Sequence, residues 1–79
     1  MPTDWTVGDW VHDRANARVG VIEAATLTHG RAPVPAWRIA WRWRVHGDTR
    51  TLYTARPTSV VSQTTAAAYA PWTGGRDGE

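Results

Sequence analysis

Residues 36–45 read Ala36-Trp37-Arg38-Ile39-Ala40-Trp41-Arg42-Trp43-Arg44-Val45, with His46 following. Trp37, Ile39, Trp41, Trp43 and Val45 alternate with Arg38, Ala40, Arg42, Arg44 and His46. Successive side chains of a β-strand point to opposite sides, so the alternation predicts a strand with one bulky apolar face and one basic face. As a helix, the same residues would scatter tryptophan and arginine around the whole circumference and leave no apolar stripe. The apolar row is therefore expected to build a core, and the arginine row to be turned to solvent.

Downstream, Gly47-Asp48 fits a two-residue hairpin turn into a strand over 49–54. That turn places Trp43 opposite Leu52 and Arg44 opposite Thr51, so like faces meet across the ladder. Upstream, 26–35 holds His29-Gly30-Arg31 and Pro33-Val34-Pro35, which predicts a projecting loop that two prolines keep unpaired until Ala36. Long loops on small scaffolds often carry function. Before it, 18–24 reads as a strand with Val19 and Val21 on one face and Ile22 on the other, and Gly20 marks a bulge or a sharp bend.

Gly8-Asp9 supplies a turn into a first strand at Trp10-Val11, which His12-Asp13 continue outward. Asn16 is the residue of the 14–17 connection best able to adopt a left-handed conformation. Pro57 breaks the ladder after the central hairpin, leaving room for one helical turn before a last strand at 59–62. The expected fold is thus all-β, a five-stranded SH3-like small barrel with a short C-terminal helix or tail. Its parts are a lead-in over 1–6, the barrel over 7–63, a short helix or packed tail over 64–72, and a disordered, Gly-rich tail over 73–79. Trp5 is expected to fold back on the barrel. Tyr69 and Trp72 are expected to pack on an apolar edge near Trp5 or Val60-Val61, hiding it from other chains; an incidental Trp on a flexible tail is the competing reading.

At 79 residues a single core is marginal, and six Trp and two Tyr with no Phe must supply its bulk. The absence of cysteine removes disulfides and thiolate metal sites. Met1 to Trp10 has two acids and no apolar run, so neither a signal peptide nor a membrane span is expected, and the cytoplasm is the default location. All nine basic residues are arginine. Arginine suits bidentate contact with phosphate, but a GC-rich genome also replaces lysine by arginine. Up to Val61, eight arginines face five acids, a mildly basic balance.

The order of parts, five short strands with a polar hairpin, a long second loop and a tight third turn, is that of an SH3-like barrel. Val7-Gly8-Asp9, Gly20-Val21-Ile22-Glu23, Pro33 through Trp37-Arg38-Ile39-Ala40-Trp41, and Leu52-Tyr53 with Pro57 before Ser59-Val60-Val61 together carry a family likeness. Over 7–63 the chain resembles the actinobacterial domain of unknown function 1918 family. It departs where that family has Pro-Pro-Tyr before the central strand, since Pro33-Val34-Pro35 is split here, and where a longer helical C-terminus would follow. The resemblance implies the barrel and the cytoplasm and supplies no activity or functional residue. The Gly-Asp opening and the glycine in the second strand are also similar to KOW and Tudor-like modules, which bind RNA, DNA or RNA polymerase.

His12, His29 and His46 have no paired ligand spacing, and no phosphate loop, nucleophile elbow or acid pair occurs, so no cofactor, metal site or enzyme activity is expected. The candidate site is the basic face of the central hairpin: Arg38, Arg42, Arg44 and His46, with Tyr53 on the facing strand. Such a row could bind nucleic acid through phosphates, with a base stacked on Tyr53. An acidic protein surface would satisfy it too, and so would plain solvation of an outer sheet face. The leading expectation is a non-catalytic module that contacts nucleic acid or a nucleic-acid-associated complex. The alternative is a protein-interaction module docking through the 26–35 loop or a sheet edge.

Overall fold

The computed structural model describes residues 5–55 and 57–72. The lead-in before Trp5, Arg56 of the ladder break, and the tail expected to be disordered from Thr73 lie outside the described residues. The chain is mostly antiparallel sheet: β1 (Trp10–Asp13), β2 (Arg18–Leu27), β3 (Pro35–His46), β4 (Thr49–Leu52), β5 (Thr58–Ser62), one turn of helix α1 (Gln63–Ala66) and β6 (Ala70–Pro71). The all-β expectation holds. Six strands stand where five were expected, because Ala70-Pro71 pair with Val11 and His12 of β1.

β3 is the spine. β2 runs along one edge of it, while β4 and β5 share the other, β4 beside Trp43–His46 and β5 beside Ala36–Ala40. β1 pairs on β2 and β6 on β1, and no ladder among the described residues joins β6 to β4 or β5. The two-residue turn keeps the expected register, with Trp43 opposite Leu52 and Arg44 opposite Thr51. Gly47 takes the first turn position at φ 58°, a conformation that a residue with a Cβ adopts at a cost.

The core gathers Val11, Ile22, Trp37, Ile39, Trp41, Val61 and Ala66, with Trp5, Tyr53 and Tyr69 packed against it. Trp5 folds back as expected: its ring centroid is 5.3 Å from that of Trp37 and 5.8 Å from that of Tyr69, and its carbonyl accepts from Trp37 Nε1 at 3.2 Å. Tyr69 also meets Trp41 edge-on at 6.0 Å. Trp72 lies against His12 at 5.2 Å and donates its backbone N–H to Trp10 at 3.0 Å. The segment after β5 therefore covers part of the β1 edge, a place where another strand could otherwise add.

The central correction concerns the apolar row. Trp41 stands opposite Gly20 and Trp43 opposite Val19. Directly opposed residues point the same way, and the consecutive Val19 and Gly20 point to opposite sides, so Trp41 and Trp43 do too. Arg42 is the extra residue of a β-bulge that absorbs the shift. Trp41 is fully buried, whereas Trp43 and Val45 are half-buried on the second face of the sheet. Trp43 Nε1 is buried there with no hydrogen-bond acceptor among the described residues. A second bulge, at Glu23, sets Ile22 against Ile39 and Ala24 against Arg38.

Gly20 explains the close approach of β3. A Cβ added there would lie 2.6 Å from the Ala40 carbonyl oxygen and 2.8 Å from both Ile39 Cγ2 and Trp41 Cε3. One of these neighbours is backbone in mid-strand and cannot swing aside. Gly20→Ala is expected to cost about 1–3 kcal/mol, lowering the melting temperature by roughly 10 °C in a domain this small. Melting within a degree or two of the parent protein would mean that Trp41 is not seated on Gly20.

Four smaller expectations change. Asp13 is buried rather than turned outward. Ala17, not Asn16, takes the left-handed conformation, at φ 52°, because the Asn16 side chain is engaged by Asp13 and the Ala17 carbonyl accepts from Val45 N. The loop is shorter than 26–35: Thr26 and Leu27 pair with Ala36 and Pro35, and Thr28 closes the connection on Val34 through its backbone N–H and its hydroxyl. No helical turn precedes β5 among the described residues, whereas the short helix expected after it is present as α1, opened by the Ser62 side chain, which accepts from Thr65 N.

Candidate functional site

The bulge divides the predicted basic row. Arg38 lies on the second face, opposite Ala24 of β2 and Val60 of β5. Its Nε is 3.4 Å from Glu23 Oε2, in a solvent-exposed ion pair worth little in stability. Around it Ala24, Thr26, His29 and Val60 line a shallow open depression. Arg44, beyond the bulge, is opposite Thr51 on one side and Arg18 on the other, and so shares the face of Trp41. Its guanidinium carbon is 5.2 Å from the Tyr53 ring centroid. Arg38 and Arg44 therefore do not act from one surface.

Arg42 is half-buried in the bulge, and its carbonyl accepts from Tyr53 N at 2.8 Å. That bond carries the β3–β4 pairing one step further and ties the hairpin to the irregular residue. His46 is exposed next to the turn, opposite Thr49. Tyr53 is not the open ring that stacking on a base requires: it is half-buried against the core on one side, and Arg44 lies over it on the other.

Sequence reasoning missed Arg50, whose guanidinium carbon is 4.7 Å from the Trp43 ring centroid. Arg50 opposes Val45, so the two-residue turn that fixes the register already implied its place. The distal hairpin over 42–52 thus carries Arg42, Arg44 and Arg50 against Asp48, a local excess of +2 that equals the net charge of the whole chain. Arg44 and Arg50 stand on opposite faces, each laid on an aromatic ring. Cation–π contact of this kind pre-orients a guanidinium.

Beside this hairpin lies a buried polar cluster that sequence reasoning also missed. Asp13 Oδ2 accepts from Arg18 Nε at 2.9 Å and from Asn16 Nδ2 at 2.8 Å. Arg18 in turn lies 3.8 Å from the Trp41 ring centroid. Burial works against the charged form of Asp13, but the hydrogen bonds from Asn16 and Arg18 outweigh it and hold the carboxyl below its usual range. Burial, and then the Asp13 charge, push the Tyr69 phenol up. This cluster ties β1, β2, β3 and the segment after α1 together; its cation is already matched by a carboxylate.

Among the described residues no group of three or more His, Cys, Asp or Glu side chains is placed to hold a metal ion, and no helix is long and apolar enough to cross a membrane. No family model, curated protein or solved structure matches the chain.

Proposed function

We propose that this chain is a non-catalytic binding module that contacts nucleic acid, or a nucleic-acid-bound complex, through the distal β3–β4 hairpin. The observation that carries the reading is the concentration of the chain's whole net positive charge on 42–52, on a hairpin whose β4 residues are all exposed. Arg42, Arg44 and Arg50 are the phosphate-contacting residues, with His46 at the turn. Arg38, ion-paired to Glu23 on the other half of β3, is left out of the interface, and Tyr53 serves to orient Arg44 rather than to stack on a base. Within this reading the sheet is an SH3-like small barrel of the actinobacterial type named above, working in the cytoplasm.

Fluorescence anisotropy with generic labelled oligonucleotides tests it. Binding is expected at low salt, and the double variant Arg42→Glu, Arg44→Glu is expected to abolish it while leaving most of the folded stability intact. A double variant that binds like the parent protein would remove the hairpin from the interface. Binding to an acidic protein but to no oligonucleotide would make the hairpin a protein-docking element instead.

A further inference from the structure

Arg44 and Arg50 project from opposite faces of one hairpin, and this two-sidedness narrows the ligand class. A single strand laid on the sheet reaches one face only. It would also need a bare ring to stack on, whereas each ring here has a guanidinium over it, Arg44 on Tyr53 and Arg50 on Trp43. A groove with phosphates along both walls can engage both faces at once. Resting on the nucleic-acid reading above, we infer that the β3–β4 hairpin enters the major groove of B-form duplex DNA edge-on, with β4 deepest.

The dimensions agree. A strand pair with its side chains is about 10 Å thick, and adjacent strands are about 4.8 Å apart. The B-form major groove is about 12 Å wide and about 8.5 Å deep, so it takes the thickness of the hairpin and the depth of β4 with part of β3. β2 and the Ala17 carbonyl just before it, which flank β3 on its other edge as far as Val45, then stay at the mouth, and β4 with the turn is the part that enters. The minor groove, about 6 Å wide, is too narrow. The A-form major groove of duplex RNA is deep and narrow and closed to such an element.

Charge and chemistry agree as well. One face of the hairpin presents Arg44, His46, Thr49 and Thr51, all exposed and all able to hydrogen-bond. The other presents Trp43, Val45, Leu52 and Arg50, whose apolar atoms suit thymine methyl groups and whose one cation suits the opposite wall. In this geometry Arg44 and Arg50 contact the two DNA strands separately, and neither can replace the other.

Competition titrations with the full chain decide the point. Duplex DNA is expected to bind about tenfold tighter than duplex RNA of the same sequence or either single strand. Arg44→Gln and Arg50→Gln are each expected to lower duplex affinity by about tenfold and the log–log salt slope by about 1. Duplex DNA carrying bulky sugars on its cytosine 5-positions, which fill the major groove, is expected to bind as weakly as RNA. Equal or tighter binding of RNA or single strands, indifference to the groove-filling sugars, or loss with only one of the two variants would overturn the duplex assignment and leave nucleic-acid binding standing. Binding to no nucleic acid at low salt would overturn both.

Discussion

Trp41→Ala is expected to leave too little stability for a cooperative fold at room temperature. Trp41 is fully buried at the centre of the core. Its ring lies against Tyr69 and under the Arg18 guanidinium, and its Nε1 donates to Ser59 Oγ at 3.1 Å. Truncation removes the largest fully buried side chain and leaves a cavity that a rigid sheet closes only in part, a loss of about 3–5 kcal/mol. A domain of this size has little more than that to lose. Trp43→Ala is expected to cost clearly less, because Trp43 is half-buried and its unpaired, buried N–H already detracts from the folded state. Chemical denaturation of the two variants side by side measures the difference. Equal losses would contradict the bulge at Arg42, which sends the two rings to opposite faces.

Asp13→Ala is expected to cost about 3 kcal/mol. The carboxylate is buried, and it is the counter-ion of Arg18 and an acceptor for Asn16. Its removal strands a guanidinium on the Trp41 ring and leaves an amide without its acceptor. The Arg18 side chain keeps 23% of its surface in solvent, and this access to water holds the loss below that of a fully buried pair. The same contacts set the acid response. Asp13 has a lowered folded-state value, so its contribution is fully present above the unfolded value of about 3.9 and is lost as the pH falls through the folded one. Tyr69 has a raised value, so its contribution is present below about pH 10 and is lost as the pH rises through the folded one. Stability measured against pH should therefore fall below about pH 4 in the parent protein and show a shallower acid limb in Asp13→Ala. Identical acid limbs would remove Asp13 from the account of acid unfolding.

How much of this was readable in advance differs from element to element. The β3–β4 pairing was legible because Gly47-Asp48 leaves a two-residue turn a single register. The packing of Trp5 and Tyr69 was legible because a 79-residue chain cannot waste its large rings, while Trp72 packs against His12 of β1 rather than near Trp5 or Val60-Val61, a place set by the β1–β6 pairing. The bulge at Arg42 was not. The alternation from Trp37 to His46 is unbroken in sequence, and the irregularity arises from how β2 pairs, with the bare Gly20 backbone seated against Trp41. Hence the local excess of arginine could be read along the chain, while the face each arginine occupies could not. Asp13 was placed outward because a charge at a strand end usually is; only its neighbours across the turn, Asn16 and Arg18, make its burial tolerable. Arg38 was counted with the hairpin because its partner Glu23 becomes a neighbour only through the second bulge.

The claim that the hairpin binds phosphates is tested most directly by the affinity for one labelled DNA duplex measured across a range of salt concentrations. Three arginine–phosphate contacts are expected to give a log–log slope of about −2.7, and the Arg42→Glu, Arg44→Glu variant should show no binding at the lowest salt. Affinity independent of salt, or no affinity at low salt for the parent protein, would contradict it.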